Sequence, residues 1–139
     1  MRPGETLAGY LEVPHTADWA LQVWAATPAG LLEMAARGMF SLMDLQIGPG
    51  PRQERTLTLQ AADLESLLVS FLAELLYWNE DEKLAFDEFE LTLEGLSLQA
   101  VCRGGQVGRQ RKEIKAVTYH NLRIALSPAG LQTVIVFDV

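Results

Sequence analysis

Apolar and polar residues alternate along this chain with two different periods, and the changes from one to the other mark its elements. Residues 10 to 13 and 19 to 24 read as short extended segments; in the second, Trp19, Leu21 and Val23 alternate with Ala20, Gln22 and Trp24 at period two. Thr27 before Pro28 predicts a helix start, the hydroxyl capping free backbone donors and the proline standing where no N–H is missed. Leu31, Leu32, Met34, Ala35, Met39, Leu42 and Met43 then form a broad helical stripe, which Ile47-Gly48-Pro49-Gly50-Pro51 ends with turn chemistry. Arg55 to Gln60 alternates as a strand. A second helix opens at Asp63 and carries Leu64, Leu67, Leu68, Phe71, Leu72, Leu75 and Leu76 at spacings of three and four, until Asn79-Glu80-Asp81-Glu82 breaks the pattern.

The remainder has no helical period. Strands are predicted near 84 to 93, 96 to 102, 112 to 119, 121 to 127 and 131 to 138, separated by Gly95, by Gly104-Gly105 with Gly108, by Asn121 and by Pro128-Ala129-Gly130. Two strands, helix, strand, helix and five strands in succession predict an α+β fold. Residues 1–139 would form a single two-layer domain, a largely antiparallel sheet covered by two main helices. The glycines near residue 105 lack the strand-to-helix context of a phosphate loop.

A chain of 139 residues with 49% hydrophobic and 21% charged positions carries enough apolar surface for a sizeable core, which excludes disorder. One cysteine, Cys102, forbids an intrachain disulfide, and one cysteine with two histidines argues against a zinc cluster. No charged-then-apolar leader and no membrane-length apolar run are present, so a cytoplasmic address and no membrane partner are expected.

The net charge of −7 argues against a primary nucleic-acid binder, but the charge is unevenly distributed. From Glu54 to Glu94 eleven acids face only Arg55 and Lys83; from Arg103 to Arg123 six basic residues face Glu113 alone. The second stretch is either a face for an anionic or acidic partner or scattered solvated charge.

Candidate chemistry lies in three places. At the C-terminus an apolar strand, Val134-Ile135-Val136-Phe137, ends in Asp138 and Val139, placing a side-chain carboxylate beside the terminal one. Hard cations such as calcium take several oxygen ligands, and Asp18 from another segment would complete an acidic site. Alternatively, Asp138 simply ends an edge strand. His15-Thr16-Ala17-Asp18 joins two titratable groups in a non-helical connection, where such residues also commonly close turns. In 113 to 120, alternation puts Glu113, Lys115, Val117 and Tyr119 on one face and Ile114, Ala116, Thr118 and His120 on the other. Lys115 would then offer its ammonium to a carboxylate or phosphate, or form an ordinary Lys-Glu pair with Glu113. No serine or cysteine nucleophile comes with an evident base.

These segments resemble archease, the small protein cofactor of RtcB-type RNA ligase. The resemblance lies in His15-Thr16-Ala17-Asp18, in Asp63-Leu64-Glu65-Ser66-Leu67-Leu68 running into Ala73-Glu74-Leu75-Leu76-Tyr77, in Lys115-Ala116-Val117-Thr118-Tyr119-His120, and in Val136-Phe137-Asp138-Val139. The four blocks stand in the same order and cover nearly the whole chain. The resemblance implies an α+β fold and an accessory role in tRNA splicing and RNA repair, without catalysis by the chain itself. The accessory protein promotes guanylylation of the ligase and its multiple turnover, while GTP and RNA ends bind through the ligase. It also implies a divalent cation, calcium with magnesium or manganese as alternatives, held by Asp18, Asp138 and Val139. Glu113, Lys115, His15 and His120 become candidates for contacting the ligase or its nucleotide.

Two departures from the family pattern stand out: Trp19-Ala20 replaces a small aliphatic residue and glycine, and the segment from Gly104 to Lys112 is short and basic. The carboxylates alone also fit a metal-dependent phosphohydrolase or nuclease, and an apolar sheet face fits a chaperone-like adaptor.

Overall fold

A computed structural model describes residues 8–13 and 19–139. The described chain runs β1 (Ala8–Val13), β2 (Trp19–Ala25), α1 (Pro28–Leu42), β3 (Leu45–Ile47), β4 (Gln53–Gln60), α2 (Leu64–Glu82), β5 (Leu84–Glu94), β6 (Ser97–Gln110), β7 (Ala116–Val117), β8 (Ala125–Ser127) and β9 (Gly130–Asp138). The class is α+β, as the sequence predicts, and every strand pairing is antiparallel.

The strands form two sheets rather than one. In the first, β9 pairs with β2, β7 and β8, and β1 extends the sheet beyond β2; in the second, β6 pairs with β3, β4 and β5. The helices lie between the two: α1 packs on β1 and β2 and also on β5, while α2 packs on β4, β5 and β7. Their apolar faces and the inward faces of both sheets make up one hydrophobic cluster. Phe71 of α2 and Phe137 of β9 are its largest fully buried side chains, each stabilising the fold by about 2–3 kcal/mol through area removed from water.

Both helix starts follow from their caps. Thr27 Oγ1 accepts the Gly30 N–H at 3.1 Å with Pro28 in the first turn, and an Asp63 oxygen accepts the Ser66 N–H at 2.7 Å. That bond holds the Asp63 carboxyl below its ordinary range. The helix ends depart from the pattern. α1 stops at Leu42, Asp44 turns the chain with φ 49°, and Leu45–Ile47 forms the short strand β3 where the apolar spacing had suggested more helix. α2 continues through Asn79 to Glu82, because Asn79 is buried and its amide donates to Leu84 O and Gln110 Oε1, both at 3.0 Å.

Three strand boundaries need correction. Gly104-Gly105 and Gly108 do not turn the chain: β6 runs unbroken from Ser97 to Gln110. A Cβ on Gly104 would overlap the Ala85 carbonyl oxygen and lie 2.7 Å from Phe86 Cα, so glycine permits close approach to β5 beside its bulge at Phe86/Glu88. Of residues 112 to 119 only Ala116–Val117 pairs as a strand, and of 121 to 127 only Ala125–Ser127. Among the described residues no helix is long and apolar enough to cross a membrane.

Candidate functional site

Alternation within β9 buries Ile135 and Phe137 in the core and sends Asp138 out to solvent. Asp138 does not end an edge strand. Phe137 faces Trp19 on β2 and Val117 on β7, and Asp138 faces Ala116. The Lys115 N–H donates to Asp138 O at 2.8 Å, and Thr118 donates to Val136 O through both its N–H (3.0 Å) and its hydroxyl (2.9 Å). The end of β9 is thus fixed from both sides. His15 and Asp18 lie outside the described residues, whose first member after them, Trp19, pairs with Phe137. Among the described residues no three His, Cys, Asp or Glu side chains gather as a metal cluster.

Lys115 also borders a cleft of about 750 Å³ between the C-terminal turn of α2, the end of β6 and residues 111 to 115. Residues 111 to 115 form no strand, but their amides anchor them to the end of α1: Arg111 N–H donates to Asp44 O at 3.2 Å and Lys112 N–H to Met43 O at 3.1 Å. Ile114 is buried between the exposed Glu113 and Lys115, and all three border the cleft; the predicted alternation fails beyond them, since Ala116 is exposed and Val117 packs against the core. His120 lies elsewhere, in the turn after β7, where its N–H meets Thr118 Oγ1 at 3.3 Å and its ring meets the Asn121 amide at 3.3 Å. Asn121 holds that turn with φ 52°.

The basic stretch divides in space. Arg103 donates to Glu54, Glu88 and Glu90, tying β4, β5 and β6 together and raising its own pKa; it belongs to the acidic side of the molecule. Arg55 is held by Glu82 at 2.6 Å and Arg52 by Asp87 at 2.6 Å. Arg109, Arg111, Lys112 and Lys115 all border the cleft, joined by Lys83, with Glu80 and Glu113 as the acids there. The Lys112 ammonium sits over the Trp19 ring, 5.1 Å from its centroid, and Arg111 approaches Asp44 at 3.5 Å. Among the described residues no carboxylate pairs with Arg109 or Lys115.

Sequence reasoning assigned no part in a site to Lys83 or Asn79. Arg109 carried a signal in the basic run, while Lys83 enters only because it closes α2 in the left-handed conformation. Cys102 is fully buried and its thiol is pushed up to about 12 by desolvation, so it offers no thiolate.

Residues 10–139 match the model of the archease protein family (MTH1598/TM1083). The archease of Methanopyrus kandleri is 36% identical over 121 residues, covering 81% of this chain and 86% of the relative. That of Methanosarcina mazei is 35% identical over 140 residues, covering 94% of each. The fold matches the solution structure of Methanobacterium thermoautotrophicum protein 1598, with a TM-score of 0.72 at 24% identity over 94% of this chain and 99% of that one. It also matches the crystal structure of a Thermotoga maritima archease described as a possible chaperone, with a TM-score of 0.69 at 23% identity over 91% and 94%. A family model spanning almost all of the sequence, with curated relatives above 30% identity along most of their own length, establishes that the chain belongs to the archease family.

Proposed function

We propose that this chain is the accessory protein of an RtcB-type RNA ligase, promoting ligase guanylylation and multiple turnover in tRNA splicing and RNA repair, and that it catalyses no reaction itself. Family membership along residues 10–139 carries the reading. The backbone bond from Lys115 to Asp138 supports it, because it joins two residues of separate sequence blocks at one place on the surface.

Asp18, Asp138 and Val139 would hold the divalent cation. The donor chemistry fits: Asp138 is exposed at a strand end fixed by β2 and β7, its donors are oxygens, and oxygen-only sets suit calcium, magnesium or manganese better than zinc. When bound, such an ion supplies concentrated positive charge to which partner carboxylate or phosphate oxygens bind. The chain's own contribution is position. β7 and β9 fix Asp138, and the exposed Lys115 ammonium stands ready for an anionic group of the ligase or its nucleotide. The partner is the ligase in the cytoplasm, with GTP and RNA ends bound there.

The test compares guanylylation and multiple-turnover RNA joining by the cognate ligase alone, with this chain, and with its Asp138→Ala variant. Stimulation by the parent and its loss in the folded variant are expected. Equal stimulation by both would overturn the metal-centred part, and none by either would overturn the ligase assignment. Metal-independent suppression of client aggregation would instead favour the chaperone role attached to the Thermotoga maritima relative.

A further inference from the structure

The geometry points to the basic cleft as a binding site of the isolated chain for the polyphosphate of a nucleoside triphosphate. This goes beyond the ligase reading, in which nucleotide binds on the ligase, and does not depend on it. Three observations carry it.

First, the charge is concentrated. Lys83, Arg109 and Lys115 line one concavity whose acids are Glu80 and Glu113, with Arg111 and Lys112 at its rim, where Asp44 and the Trp19 ring hold their charged ends, in a chain whose net charge is −7. Arg109 and Lys115 have no carboxylate partner among the described residues, so their charge is available to a ligand. Second, the size is that of a small-molecule site: about 750 Å³ lies inside the range of roughly 300–1,000 Å³ that such ligands occupy. Third, the walls are mixed. Leu76, Val107 and Ile114 supply apolar surface for a base or ribose beside the cations, and Asn79 and Gln110, already hydrogen-bonded to each other, stiffen the floor.

The same observations disfavour larger polyanions. A long RNA strand leaving the cleft would run along a molecule rich in carboxylates, among them Glu54, Glu88 and Glu90 around Arg103 and those of the α2 C-terminus.

Isothermal titration of the purified chain at low ionic strength, without ligase, tests the assignment with ATP, GTP, tripolyphosphate, AMP and a ten-nucleotide RNA. ATP or GTP should bind, tripolyphosphate should compete for the same site, and AMP should bind at least about tenfold more weakly. Arg109→Gln, on an exposed strand position, should weaken triphosphate binding about fivefold with an unchanged circular dichroism spectrum, whereas Arg52→Gln, outside the cleft, should leave it unchanged. Absence of triphosphate binding, failure of tripolyphosphate to compete, equal weakening by both variants, or tighter binding of the RNA would each overturn it. Because no ligase is present, failure here leaves the accessory role standing, and failure of ligase stimulation leaves this site standing.

Discussion

The Lys115 amide donates to the Asp138 carbonyl oxygen, so the basic cleft and the carboxylate end of β9 share one backbone bond. Two substitutions at Lys115 separate the contributions of side chain and main chain. Lys115→Gln removes an exposed charge and should leave stability within about 0.5 kcal/mol while reducing ligase stimulation. Lys115→Pro removes the N–H as well and should cost about 2 kcal/mol in urea unfolding, because it frees residues 111 to 115 from β9. Equal stability of the two variants would show that this bond does not anchor the segment.

Gly104→Ala should be among the most damaging small substitutions in the chain. The added methyl would overlap the Ala85 carbonyl, which is main chain and cannot rotate aside, so β5 and β6 must separate. A loss of about 3 kcal/mol or more is expected in chemical denaturation.

That glycine also shows why parts of the sequence misled. Glycine marks a turn and a close approach of two backbones alike, and only the partner strand distinguishes them; Gly104-Gly105 therefore read as a loop inside what is β6. Asn79 read as a helix breaker because its partners, Leu84 and Gln110, are brought to it by folding. Local signals served well where the chemistry was local: Thr27-Pro28 and Asp63 start their helices as expected. Of the site, Glu113 and Lys115 were legible as the polar neighbours of an apolar Ile114, but the period-two faces drawn through 120 fail at Ala116 and Val117 because residues 111 to 115 form no strand, and Lys83 reaches the cleft through tertiary packing alone.

Acid should destabilise the fold in a defined window. The hydrogen bond from Arg52 lowers Asp87 from its ordinary 3.8, that from Arg55 lowers Glu82 from 4.5, and the Ser66 amide lowers Asp63 from 3.8. Each unfolded carboxylate takes up its proton at a higher pH than the folded one. This stability is therefore fully present above the unfolded values and is lost as pH falls through 4.5 and 3.8 to the lower folded values. Unfolding followed from pH 6 to pH 2 should show that decline, and the double variant Arg52→Gln, Arg55→Gln should flatten it. An unaltered slope in the double variant would remove these pairs as its source.

Cys102 should resist aromatic disulfide reagents in the native protein and react only in denaturant, since its sulfur is buried and its thiol stays protonated at neutral pH. Rapid native labelling would mean that the sheet around it opens far more readily than its packing implies.

β6 belongs to two neighbourhoods at once: from Leu98 to Cys102 its inward residues are core, and from Val107 to Gln110 it borders the cleft. A lesion that loosens its pairing with β4 or β5 therefore shifts the position of Arg109 without touching any residue of the cleft. In a mutational scan of binding, such variants would imitate contact residues, and only a parallel ranking by unfolding free energy would tell a lost handhold from a bent beam.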